Sequence, residues 1–475
     1  MRLYTLIAAA TCCGVFAPGS MTAAQRYIST SGNKDNPGTI DRPWDMATGL
    51  SSALPGDTVW IRGGTYSGTF TCWSSGTPDH PIIFRQYPGE RARIDGGSSQ
   101  DSALGMQCSN VWVWGMEIFF SNTSRRTTVT GSFPETIQRG AGVTTAQQTG
   151  VPLNDKFINL IIHDTWGAFG VWRDAVNAEV YGNVIYYDGW VAPDRGHGHG
   201  IYTQNNSRST KFIRDNIVFN EFSHGLHLYA EQDLLQNYVI EGNVAFDNGK
   251  PAGSDGYARN FLVGAPGLNV IPRQIMFRNN FSYYSPLYSG GDSQIGSDAG
   301  CVNTTIVGNY FVAERGTALT KPALCRPLNM SGNTFVGAVR GFSPSEFPAN
   351  NYYGKPPTGV SVFVRPNWYE AGRANIIVYN WGHSASASAD VSGVLQAGDE
   401  YEVRDVQNFF GNPVLTGTYH GGRLEIPLGQ TATSAVLSDP PIPVPHTDSG
   451  FGVFVLVVPK RTAERMPYSQ PLLAR

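Results

Sequence analysis

The 475-residue chain carries 55 Gly, 30 Pro and 12% aromatic residues against only 15% charged residues, with a formal net charge of -3. Such a glycine- and aromatic-rich, charge-poor composition reads as all-β with many turns and argues against a helical or disordered chain. Without a basic excess, nucleic acid is excluded as an expected partner, and the length allows one large domain with a smaller one.

Residues 1–24 combine an early Arg2, an apolar stretch and small residues ending at Ala24. This is the pattern of a secretory signal cleaved before Gln25. Cys12 and Cys13 fit a lipoprotein signal poorly because of Ala9 and Thr11. No other apolar run is long enough to cross a bilayer, so a secreted or periplasmic monomer is expected. Cys72, Cys108, Cys301 and Cys325 remain, an even count that suggests disulfides. Cys72–Cys108 and Cys301–Cys325 are the most economical pairs, with connectivity left open. No CxxC spacing marks them as metal ligands.

The next stretch, residues 27–70, holds Tyr27–Gly32, NPGT, Pro43, a short helix near 45–54 and PGDTVWIRGGTY. It resembles the opening of secreted right-handed β-helix proteins similar to pectate lyases, alginate lyases and chondroitinase B. The resemblance covers roughly residues 27–340 and implies architecture more than activity, since relatives include glycosidases, epimerases and tailspikes. The helix around Ala47–Leu54 would then cap the open end of the coil.

From 155 to 336 a phrase centred on asparagine recurs at Asn159, Asn183, Asn216, Asn243, Asn280, Asn309 and Asn333. A short β-rich run beside an Asn, repeated every few tens of residues, is the signature of a solenoid coil. Asn tolerates the left-handed turn conformation and can stack into a hydrogen-bonded ladder. The fold expected for residues 25–354 is therefore a right-handed parallel β-helix. Phe219, Phe246, Phe281 and Phe335 are expected as inward core stacks, and His163 as a member of a ladder. The sequons at 122–124 and 205–207 are short enough to arise by chance.

Four segments align through a local glycine: 168–175, 198–205, 223–230 and 258–265. Val171, Ile201, Leu226 and Phe261 then point inward, and Trp172, Tyr202, His227 and Leu262 outward. Asp174, Gln204, Tyr229 and Gly264 form a second outward column, and Phe169, His199, His224 and Asn260 a third. Arg173 breaks the alignment where Thr203, Leu228 and Val263 point inward. The insertions GWVAPDRGHG (189–198) and GKPAGSDGYARN (249–260) precede these strands and would rise as walls beside the patch.

Residues 355–365 read as a linker, and 366–475 as a C-terminal antiparallel β-sandwich on or near the end of the helix. Its strands are VSVFVRP, ANIIVYNW, EYEVRDV, RLEIPL and FGVFVLVVP.

An outward patch between walls suits an extended polysaccharide. For β-elimination, His199 or His224 would abstract the proton alpha to a uronate carboxylate, with Tyr202 or Tyr229 as proton partner and His227 beside them. Arg195 or Arg259 would neutralise the carboxylate. Trp172, Asp174, Gln204 and Glu231 complete the expected substrate-binding set. The family resemblance instead implies a Lys or Arg base, often with calcium, yet no lysine falls in the patch and no dense acidic cluster marks a calcium site. The cofactor thus stays open. Glycoside hydrolysis would draw on Asp174, Asp188, Asp194, Glu231 or Asp255. A non-catalytic binding solenoid would use Trp166, Trp172, Trp190 and Tyr202 as stacking platforms. Zinc would use His199, His224 and His227.

Overall fold

The computed structural model describes residues 23–459 apart from 148–149, 232–233, 254–256, 265–269, 287–291 and 321–323. The expected signal segment lies almost wholly outside these residues. Successive strands wind into coils whose like positions pair in parallel, building three sheets. One complete coil runs Glu179–Tyr181, Val184–Tyr186 and His199–Thr203, and Lys211–Arg214 starts the next. Tyr181 pairs with Arg214, Tyr186 with Phe219 and Tyr202 with His227. The first sheet contains eleven such strands, from Gln25–Ile28 to Leu328–Ser331. This is the right-handed parallel β-helix expected from the sequence, followed by antiparallel sheets. The helix Met46–Ser52 is N-capped by the Asp45 side chain, which accepts from the Thr48 amide at 2.7 Å. Met46 and Leu50 pack into the same core as Ile28 and Val59.

The asparagine phrase maps to the turn between the first and second sheets. Asn183, Asn216, Asn243, Asn280, Asn309, Asn333 and Asn350 form an unbroken ladder, each Nδ2 donating to the next Oδ1 at 2.8–3.0 Å. Each Oδ1 also accepts the backbone amide of the preceding ladder residue, so the buried amides satisfy one another. The left-handed conformation belongs to the residue before each ladder Asn from Asn183 to Asn333: Gly182, Asp215, Gly242, Asn279, Gly308 and Gly332 have φ from 53° to 68°. Asn159 corrects the expectation. Ile161 pairs with Val184, so Asn159 takes the left-handed place (φ 52°) and Leu160 the ladder place. Cys72–Cys108 and Cys301–Cys325 are the two disulfides among the described residues.

The C-terminal strands order as Val360–Pro366, Ala374–Asn380, Phe451–Val457, Glu400–Asp405 and Leu415–Thr418, with Ser386–Asp390 and Arg423–Pro427 forming a second pair. Val360–Pro366 pairs fully with Ala374–Asn380, so the expected linker 355–365 is half strand. The sandwich lies along the flank of the helix rather than at its end. Phe219 and Phe246 stack at 4.8 Å on the outer face of the second sheet, and Tyr283 stacks on Phe451 at 4.3 Å. Phe219, Phe246 and Phe281 are therefore buried under the sandwich, whereas Phe335 is truly inward and stacks on Phe311. His163 sits in this outer column between Phe119 and Tyr186. Burial opposes its imidazolium, but the Asp164 and Glu117 carboxylates outweigh burial and push it up to about 9. The second sheet is thus covered, whereas the third opens onto a cavity. Of the two sequons, Asn205 is fully buried and its amide donates to the Ser209 and Gln236 carbonyls.

Candidate functional site

The third sheet presents a cavity of about 700 Å³ bordered by His199, Tyr202, His224, His227 and Tyr229, with Arg195 and Arg259 beside them. The strands His199–Thr203 and His224–Tyr229 pair in parallel, placing His199 opposite His224 and Tyr202 opposite His227. All four share one wall although each histidine at the strand start lies an odd three positions before its Tyr202 or His227: Gly200, whose Cβ would meet the core Val218 side chain at 2.3 Å, faces inward beside Ile201 and breaks the alternation. Their rings form a continuous cluster. His199 and His224 stack 5.4 Å apart with planes within 3°, His227 lies 4.5 Å from His199, and Tyr202 stacks on His227 at 4.9 Å. His224 and His227 are only 3% and 7% exposed, lying deeper than an outward column on a bare strand would.

The walls are the two insertions. Trp190–Val191 and Gly196–His197 form a small antiparallel hairpin. Gly189 (φ 115°) and Gly198 (φ 103°) allow it to fold back, since a Cβ on Gly189 would sit 1.8 Å from the His197 carbonyl oxygen. Local geometry thus divides the histidine doublet. His197 is a wall residue, stacked on Trp190 at 5.0 Å and bonded to Asp194, whereas His199 begins the strand below and faces the cavity. Arg195, at the hairpin tip, pairs with Asp194 at 2.8 Å and lies over Tyr257 from the opposite wall at 5.2 Å. Tyr257 in turn contacts His224 at 5.2 Å.

Burial, reinforced by His197 and Arg195, pushes His199 down to about 3. Burial and neighbouring imidazoles hold His224 and His227 well below the ordinary histidine range. All three rings are therefore neutral near pH 7. The Arg259 amide donates to His224 Nδ1 at 3.0 Å, which in the neutral ring leaves the proton on Nε2. His199 Nδ1 and both His227 nitrogens have no hydrogen-bond partner. Burial raises both phenols, and Glu231 helps push Tyr229 up to about 12.

Several expectations need correction. Phe169 pairs with Ile201 and Gly170 with Tyr202, so the 168–175 coil is displaced by two residues from the glycine-based alignment. Phe169 is consequently a core residue, and Trp172 follows Val171, the partner of Thr203. Arg259, not Asn260, aligns with the two histidines, while Asn260 is buried and accepts from Asn248 at 2.9 Å. Trp172 and Glu231 border the cavity, but Asp174 and Gln204 do not. Asp174 pairs with Arg173 at 3.7 Å, and Gln204 instead bonds the Tyr202 hydroxyl. Trp190 is wholly buried and offers no platform. Asp188 is buried too, bonded to Thr165 at 2.7 Å, and Asp255 lies outside the described residues.

Phe133, Tyr257, Gln294 and Asp298 border the cavity without having been singled out in the sequence. Only Phe133, an apolar residue in a Ser/Thr/Gly-rich loop, left a trace there. Among the described residues, no group of three or more His, Cys, Asp or Glu side chains converges as metal ligands would. His199 and His224 stack face to face with His227 tilted against both, and Glu231 and Asp298 come from separate coils. This donor set fits neither zinc nor a calcium cage. Lys211 turns away from the cavity. Its buried ammonium donates to the Val171, Trp172 and Gln204 carbonyls, closing the ends of the site strands.

Residues 26–285, more than half of the chain, match the family described as the Pel9A-like, right-handed beta helix region. The chain belongs to this family. All of the cavity-facing imidazoles, phenols and guanidinium groups named above fall inside the Pel9A-like region. Over 80 residues it is 39% identical to pectate lyase PEL9 of Emericella nidulans, covering 16% of this chain and 20% of that protein. Over 73 residues it is 41% identical to the uncharacterized protein YwoF of Bacillus subtilis, covering 15% and 16% respectively. The matched stretches thus span a fifth or less of these relatives. Among solved structures, a rhamnogalacturonan lyase is similar with 17% identity and a TM-score of 0.49, over 65% of this chain and 87% of that one. Pectate lyase Pel9A is similar with 14% identity and a TM-score of 0.44, over 70% and 79%.

Proposed function

We propose that the protein is an exported polysaccharide lyase that cleaves a uronate-containing chain by β-elimination in the His199 cavity. The observation that carries this reading is a set of neutral imidazoles beside protonated phenols, bordered by two guanidinium groups. The uronate carboxylate would lie against Arg195 and Arg259, which stabilise the charge that spreads onto it as the adjacent C–H bond breaks. His199 takes that proton. His224 is excluded as base because its Nδ1 lone pair is occupied by the Arg259 amide, and its Nε2–H serves as a donor. The electron pair forms the new C=C bond and expels the glycosidic oxygen, which takes a proton from Tyr202. Gln204 bonds the Tyr202 hydroxyl, whereas the Tyr229 hydroxyl is engaged with Glu231. No step runs through a metal. Membership of a family that includes a pectate lyase relative supports the same reading.

The test is a panel of uronate-containing and neutral glycans, read by ultraviolet absorbance of an unsaturated product and by reducing ends. Absorbance with a uronate polymer is expected. Reducing ends without absorbance would mean hydrolysis, and no product from any glycan would mean a binding protein, either of which overturns the proposal. The pH profile is a second check. With His199 neutral down to about 3 and Tyr202 raised above the ordinary phenol value, kcat/KM should show no limb between about pH 5 and 8. A limb in that window would assign the base to another group.

A further inference from the structure

Phe133 is 83% exposed, the highest exposure of any large apolar side chain among the described residues. It nevertheless has a fixed place, stacked on Trp166 at 5.4 Å with planes 13° apart, and Trp166 leans on the buried Trp190. Both Phe133 and Trp166 border the same cavity as the histidines. Trp166 precedes the strand Phe169–Val171, whose neighbour is His199–Thr203, so this aromatic wall stands one coil before His199, about 5 Å along the axis. Among the described residues, that end of the cavity, from Ser132 through Trp172, contributes no charged side chain, and every charged side chain bordering the cavity comes from Arg195 or later in the chain.

From this partition we infer that the cavity has an uncharged-sugar subsite built by Phe133 and Trp166, next to the uronate subsite. The substrate is therefore a heteropolysaccharide in which uronate alternates with neutral sugar. This rests on the lyase reading for the identity of the charged subsite. An exposed aromatic face gains by covering the C–H face of a pyranose, and a neutral sugar can dock there without leaving a carboxylate unpaired. A homopolymer of uronate would place a charge on the wall that has no cation to meet it.

The test is affinity electrophoresis of wild type, Phe133→Ala and Phe133→Tyr in gels containing either an alternating galacturonate–rhamnose polymer or polygalacturonate. Wild type should be retarded more strongly by the alternating polymer. Phe133→Ala should weaken that interaction roughly tenfold, the equivalent of about 1.4 kcal/mol, while changing the homopolymer interaction less than about twofold. Phe133→Tyr should restore it. Because Phe133 is exposed, an unchanged thermal midpoint is expected and separates the effect from misfolding. Equal losses on both polymers, no loss on either, or no retardation of wild type by the alternating polymer would overturn the subsite. A Phe133-dependent preference without any unsaturated product would retain the subsite and overturn the lyase reading. Unsaturated product from polygalacturonate unaffected by Phe133→Ala would do the reverse.

Discussion

His199→Ala is expected to lower kcat by a factor of ~10²–10⁴, the range for losing a positioned general base, with little change in thermal midpoint. The separation follows from the environment of the ring. His199 Nδ1 has no hydrogen-bond partner, so truncation breaks no bond at that nitrogen. His224→Ala should also lower activity, but through position, because it removes the acceptor of the Arg259 amide. His224→Asn, whose side-chain oxygen can accept the same amide, should recover part of the loss, whereas His199→Asn should not. Steady-state kinetics with a melting curve for each variant checks this. Normal turnover in His199→Ala would remove the imidazole from the chemistry.

Asn243→Leu is expected to be the most damaging single change to the fold. The Asn243 oxygen accepts the Asn216 amide at 3.1 Å and the Asn216 side chain at 2.9 Å. Its Nδ2 donates to the Ile213 carbonyl at 2.8 Å and to Asn280 at 3.0 Å. Leucine fills a similar volume but takes the acceptor from the Asn216 amide and the donor from the Ile213 carbonyl, while Asn216 Nδ2 keeps Val180 and Asn280 Oδ1 keeps the residue 243 amide. At about 1–3 kcal/mol for each unsatisfied group, the loss is on the order of 2–4 kcal/mol, a large fraction of a typical domain's stability. Asn350→Leu, at the last rung, should cost less, because Asn350 is 8% exposed and its Phe347 carbonyl and Tyr352 hydroxyl partners are only part-buried. Denaturant midpoints of the two variants check the order, and equal, small losses would refute the load assigned to the ladder.

The parts of the fold legible in the sequence were those governed by a short repeating rule. The recurring Asn works because a buried amide that both donates and accepts can continue a ladder that no apolar residue can. Asn159 misled because the preceding left-handed position also favours Asn, so one letter serves two neighbouring places. The inward and outward faces survived a register error at 168–175. Aligning Gly170 with Gly200 displaced that coil by two residues, and a shift of two preserves strand parity, so Val171 still points inward. Parity alone failed for Phe219 and Phe246. Their sheet is buried on both sides, and a strand covered on both faces carries no alternation to read. In the cavity, Tyr202, His227 and Tyr229 follow from strand alternation, His199 and His224 face it only because the alternation breaks at Gly200, and Phe133 and Tyr257 reach it from long loops whose paths no periodicity encodes.

The aromatic column on the flank sets a limit on how this molecule can be taken apart. Tyr186, Phe219, Phe246 and Tyr283 are dry only because Tyr379, Phe451 and their neighbours lie over them. A fragment ending at residue 354 would present that greasy stripe to water and invite self-association. The solenoid and its cover are thus a matched pair in inheritance as in folding: recombination that swapped one without the other would yield an aggregate before it yielded a new specificity.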